Sequence, residues 1–137
     1  MSYIPAKLRR LVVARAKNRC EYCGLSQEGQ VATFHIDHIV PSSKGGETIA
    51  ENLALACVAC SLHKAARLTA VDPLTNDPTP IFNPRQDRWD DHFRWNDVHM
   101  MGLTAIGQAT IRGLQLNRDL MLAIRAEEKL IGRHPAG

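Results

Sequence analysis

Apolar side chains return at helical spacing near the N-terminus, where Leu8, Leu11, Val12 and Ala16 are separated by basic residues. The pattern predicts a helix over 5–18, with Pro5 in the first turn, where a missing N–H costs nothing. The stretch 31–40 ends at Pro41 and reads as a strand. Ser42-Ser43-Lys44-Gly45-Gly46 then breaks the pattern as a flexible turn. The short apolar run 53–56 suits a second strand, and a helix is predicted over 61–68. Residues 72–88 carry Pro73, Pro78, Pro80 and Pro84 without periodicity and read as an extended arm. Residues 89–101 offer one or two strands. Helical spacing returns over 103–114 and 117–131, with Thr104 and Asn117 as N-caps. Residues 134–137 read as a frayed tail. The order is strand, long turn, strand, helix, between an N-terminal helix and C-terminal helices, an α+β pattern.

Composition narrows this. A chain of 137 residues suits one domain over 1–137, and 45% apolar content permits a real core. Aromatics are only 5%, so that core rests on Leu, Ile, Val and Ala. No apolar run approaches the roughly 20 residues that cross a bilayer. No uninterrupted apolar segment near the N-terminus marks a secretion signal. A cytoplasmic location is therefore expected, with no membrane partner. In a reducing compartment, paired cysteines favour a metal over disulfides.

Cys20-x-x-Cys23 and Cys57-x-x-Cys60 form two matched knuckles. Each offers two thiolates, and two pairs complete a tetrahedral Zn(II) shell. Redox chemistry at one knuckle leaves the second unexplained, and an Fe–S cluster fits the spacing less well. With every position filled by sulfur, the zinc is structural and cannot activate water. A small fold with few aromatics gains stability from such a staple.

Charge adds a second hint. The net charge is only +3, but Lys7, Arg9, Arg10, Arg15, Lys17 and Arg19 form a run with no acid among them. Acids outnumber arginines over 72–97. Such segregation can steer a polyanion to one face, although a solvated helix face explains the basic run equally well.

Between the knuckles lie Phe34-His35-Ile36-Asp37-His38-Ile39-Val40-Pro41, then Gly45-Gly46, then Glu51-Asn52-Leu53. Together with the second Cys-x-x-Cys, this order resembles the HNH endonuclease family, whose fold is the ββα-metal motif. The resemblance covers about Cys20 to Lys64. It implies a nuclease core over 18–70, with 71–137 a C-terminal extension of extended arm and helices. It further implies a metal-dependent endonuclease acting on DNA, with RNA left open. The alternative is a zinc-stabilised DNA-binding module with weakened or lost cleavage.

Phosphodiester hydrolysis needs a nucleophilic water, a stabiliser of added negative charge, and help for the leaving oxygen. By the resemblance, His38 is the general base, a task suited to an imidazole. Asp37 ligates a hard catalytic cation, Mg(II) or Mn(II), through a carboxylate oxygen. Asn52 holds the long turn and helps orient His38. Strand alternation would aim Asp37 and His38 to opposite faces unless the strand ends there. His35 falls outside the motif and reads as a strand histidine.

Where the family places Asn or His after the fourth cysteine, as second ligand of the catalytic metal, this chain has Ser61. Serine there either ligates weakly or caps the helix. His63 is two residues on, about 200° around a helix. Candidates for gripping nucleic-acid phosphates are Arg9, Arg10, Arg15, Lys17, Lys44 and Lys64, which need read no sequence. Lys64 reads equally as a surface lysine.

Overall fold

The computed structural model describes residues 3–136, so Gly137, the last residue of the predicted tail, lies outside them. Helix α1 (Ala6–Arg15) starts one residue after Pro5, which stands at the N-cap. It ends where Lys17 and Asn18 take positive φ and turn the chain into the first knuckle. Val12 is fully buried, and Leu8, Val13 and Ala16 pack against the same core. Arg15 donates to the carbonyls of Ala50 and Leu53, at 3.0 and 2.7 Å, and ties α1 to the start of β2.

Strands β1 (His35–His38) and β2 (Leu53–Ala56) pair antiparallel, with His35 opposite Ala56 and Asp37 opposite Ala54. β2 is buried along its whole length, which is why its sequence is an unbroken apolar run. β1 is shorter than the predicted 31–40. Helix α2 (Val58–Lys64) follows at once and begins earlier than predicted, because Cys57 supplies its cap. It stops at Lys64, since Ala65 adopts φ +50°. The ββα order predicted from the sequence is present.

Residues 72–88 are not merely an extended arm. Strands β3 (Thr69–Val71) and β4 (Pro78–Pro80) form a hairpin. Asp72 closes its turn by accepting from Leu74 N–H and the Thr75 hydroxyl. Three-residue strands, one with proline at both ends, leave too few positions for a readable period. A single helical turn, α3 (Trp89–His92), leads into a second hairpin of β5 (Phe93–Asn96) and β6 (His99–Gly102). Helix α4 (Ala105–Gly113) is capped by Thr104, whose hydroxyl accepts from Gly107 N–H. Helix α5 (Asp119–Leu130) begins after Arg118 rather than at Asn117. Asn117 instead pairs both ways with the backbone of Met100, at 2.8 Å each.

One core cluster runs through both halves: Val12, Tyr22, Leu53 and Leu55 share it with Phe82, Phe93, Leu114 and Met121. Trp89, Phe93 and Trp95 stack within it, and Trp89 donates to Tyr22 O. Leu114 is core, whereas Leu120 and Leu130 are 60% and 82% exposed. The tail is anchored at His134, which stands edge-on against Trp95 and bonds Asp97 O. Among the described residues, no helix is long and apolar enough to cross a membrane.

Candidate active site

Two knuckles bring four thiols to one point. In the first, Cys20 N–H donates to Leu25 O, and Gly24 turns the chain at φ +78°, a value glycine adopts without strain. In the second, Cys57 Sγ accepts from Cys60 N–H at the head of α2. All four sulfurs are buried and lie within 4.8 Å of one another, and those of Cys23 and Cys57 are 3.8 Å apart. A tetrahedral site with Zn–S of about 2.3 Å has sulfur–sulfur edges of roughly 3.8 Å, so the set fits a zinc-type ion. Hydrogen bonds from Cys20, Cys23 and Cys60 pull the Cys57 pKa down. The Cys23 and Cys60 thiols are pushed up, first by their hydrogen bonds with Cys20. Among the described residues, no other group of three or more His, Cys, Asp or Glu side chains draws its ligand atoms so close.

Asp37 is tied to both knuckle segments through Tyr22 and Lys64. Its Oδ2 accepts from the Tyr22 hydroxyl at 2.7 Å and lies 3.2 Å from Lys64 Nζ. Its Oδ1 accepts a longer hydrogen bond from the same ammonium, at 3.4 Å. Tyr22 comes from inside the first knuckle, and Lys64 from one turn beyond Cys60. Lys64 also donates to the carbonyls of His38 and Ile39. At 2% exposure it is not a surface lysine, and its ammonium is spent on Asp37 and the backbone rather than aimed at a passing phosphate. Burial raises the Asp37 pKa above the usual carboxylate value, against the downward pull of Lys64 and Tyr22. Tyr22 is pushed well up, by burial first and then by the charge of Asp37.

His38 is half-buried, and its Nε2 lies 2.9 Å from Thr48 Oγ1. Asp37 and His38 leave β1 on opposite sides, as alternation requires. Both nevertheless line one open cavity of about 850 Å³, which runs along β1 and reaches Pro41. Arg9, His35 and Ser61 line the same cavity. Asn52 holds the long turn: its amide accepts from Val40 N–H and donates to the carbonyls of Val40 and Glu47. Its link to His38 is indirect, through the loop that carries Thr48.

Ser61 neither stands alone nor caps α2, the cap being Cys57. Its Oγ lies 2.9 Å from His35 Nδ1. His63 is not brought to this cavity. It lines a separate, largely apolar hollow, and its Nδ1 faces Arg118 at 3.4 Å. Of the basic candidates, Arg9 borders the cavity, and Arg10, Lys17 and Lys44 are exposed. Arg15 is exposed as a residue, but its guanidinium is bound to two carbonyls.

Sequence reasoning passed over Tyr22, Thr48 and the His35–Ser61 pair. Tyr22 carried one signal, an aromatic inside a metal knuckle, where space is scarce. Thr48 carried none, because its role depends on the path of a loop.

Comparison with known proteins adds one match to the geometry. A family model described as HNH endonuclease matches residues 20–67. No curated protein and no solved structure matches the chain.

Proposed function

We propose that the chain, whose residues 20–67 match the HNH endonuclease model, is a metal-dependent endonuclease that hydrolyses phosphodiester bonds in DNA. The observation that carries this reading is the meeting of Asp37, His38 and basic Arg9 around one open cavity at the end of β1. His38 takes the proton from the attacking water. Thr48 at Nε2 fixes the ring, which leaves Nδ1 for that proton. Asp37 Oδ1 is the carboxylate oxygen offered to Mg(II) or Mn(II), which supplies charge stabilisation at the phosphate and the leaving oxygen. The four cysteines hold zinc, which stays structural. Arg9, with Arg10, Lys17 and Lys44 on exposed surface, meets backbone phosphates without reading bases. Residues 18–70 act as the nuclease core and 71–137 as its extension, in a reducing compartment such as the cytoplasm.

A second reading is favoured by one feature. The Asp37 carboxylate is already met by an ammonium and a phenol, and serine stands at a usual ligand position. A zinc-stabilised DNA-binding module with weakened cleavage fits that. A plasmid nicking assay with Mg(II) or Mn(II) separates the two. Cleavage should occur and fall at least about 100-fold in His38→Ala, the lower range for loss of a general base. Equal cutting by both proteins removes His38 from the mechanism. Salt-sensitive binding without cutting selects the second reading.

A further inference from the structure

We infer that His35 supplies the nitrogen ligand of the catalytic divalent ion, with Ser61 orienting it rather than ligating. The inference rests on the nuclease reading for the ion's role. Its basis is a bond that joins the two residues the motif left unexplained: His35 Nδ1 lies 2.9 Å from Ser61 Oγ. When the serine oxygen accepts the Nδ1 proton, the lone pair sits on Nε2. Histidines that ligate metals are usually held this way, one nitrogen on the metal and the other on a fixed polar neighbour.

Position on the strand supports the same assignment. His35 and Asp37 are two residues apart on β1, so they share a face at a separation of about 7 Å along the strand. Together they would offer a bound ion a ring nitrogen and a carboxylate oxygen. Asp37 has Oδ1 to offer: among the described residues it accepts only the 3.4 Å hydrogen bond from Lys64 Nζ, whereas Oδ2 accepts from Tyr22 at 2.7 Å and lies 3.2 Å from the same ammonium. Both residues line the cavity that His38 enters. The rival histidine, His63, lines a different hollow and faces Arg118. Ser61, a neutral hydroxyl already bonded to His35, is the poorer direct ligand.

A nitrogen in the donor set changes which ion fits. Imidazole favours Mn(II) and the later transition ions over Mg(II), which prefers an all-oxygen shell. The zinc-loaded protein should therefore bind Mn(II) more tightly than Mg(II) at this site.

The test is Mn(II) binding, read without DNA as the loss of the free-ion EPR signal on titration into the zinc-loaded protein. His35→Ala should weaken Mn(II) binding at least about tenfold, with zinc content unchanged. His38→Ala should leave it unchanged, and Ser61→Ala should weaken it by less than His35→Ala does. Should His35→Ala fail to fold, His35→Asn takes its place, because its amide keeps a polar group near the Nδ1 position but lacks Nε2. Absence of Mn(II) binding in wild type, or equal binding in wild type and the His35 variant, overturns the assignment. The nuclease reading is judged separately by nicking. Cleavage that depends on His38 but not on His35 would keep that reading and remove this one. Loss of Mn(II) binding in His35→Ala, in a protein that never nicks, would do the reverse.

Discussion

At the scale of single residues, the most informative side chain is Lys64. A buried ammonium persists only when it is paired and hydrogen-bonded, and Lys64 has Asp37 and two carbonyls for that purpose. Removing it strands the carboxylate. Lys64→Met should therefore cost about 3 kcal/mol or more, the range for breaking a buried pair, whereas a surface lysine would cost within about 0.5 kcal/mol. The deficit should also depend on pH. Burial already raises the folded pKa of Asp37, and Lys64 is its largest downward pull. Without Lys64 the pKa rises further, so the folded state holds a proton the unfolded state has lost. Stability of the variant then falls as pH rises through the window between the ordinary carboxylate value and the raised one. Urea melts of variant and wild type, compared at neutral and mildly acid pH, should give the larger gap at neutral pH. A gap independent of pH would mean that Asp37 is not the group left behind.

At the scale of elements, the loop from β1 to β2 is built around two residues. Asn52 makes three hydrogen bonds across it, and Gly46 packs so closely that an added Cβ would stand 1.7 Å from Val40 O. Asn52→Ala should lose about 2–3 kcal/mol, at roughly 1 kcal/mol per bond. Gly46→Ala should destabilise as well, since backbone must move to admit the methyl. If the loop positions His38 through Thr48, Thr48→Val should reduce cleavage without a comparable loss of stability. Unaltered cleavage in Thr48→Val would show that the ring needs no anchor there. The same loop marks how far the sequence could be read. Asn52 and the glycine turn carried a pattern, and β2 was legible because an apolar run sat between Asn52 and Cys57. The cap of α2 was missed because a cysteine assigned to metal also accepts a backbone N–H. The β3–β4 hairpin escaped because three-residue strands with prolines carry no period. The His35–Ser61 contact joins a strand to a helix, and separation along the chain gives no sign of it.

At the scale of the molecule, the metal centre is the point where fold and candidate chemistry meet. Tyr22 reaches Asp37 from the first knuckle and Lys64 reaches it from beyond the second, so both arms of the clamp end on one carboxylate. The core behind the clamp is continuous with the C-terminal half. There Arg125, 2% exposed, donates to the carbonyls of Val98 and Leu116 and lies over Trp95, fastening α5 to the hairpin of β5 and β6. Loss of metal should therefore unfold more than the knuckles. Cys57→Ser, or a strong chelator, should remove zinc and abolish a single cooperative melt, as followed by far-UV circular dichroism. Survival of a separate C-terminal transition would mean that the two halves hold themselves up independently. Zinc uptake should also release protons, because the Cys23 and Cys60 thiols are pushed up and must ionise to ligate. The apparent affinity then rises with pH and weakens in acid. The midpoint of chelator-driven unfolding should move to lower chelator concentration as pH falls. A midpoint that ignores pH would argue against thiolate ligation, and with it against the clamp as the source of the fold's stability.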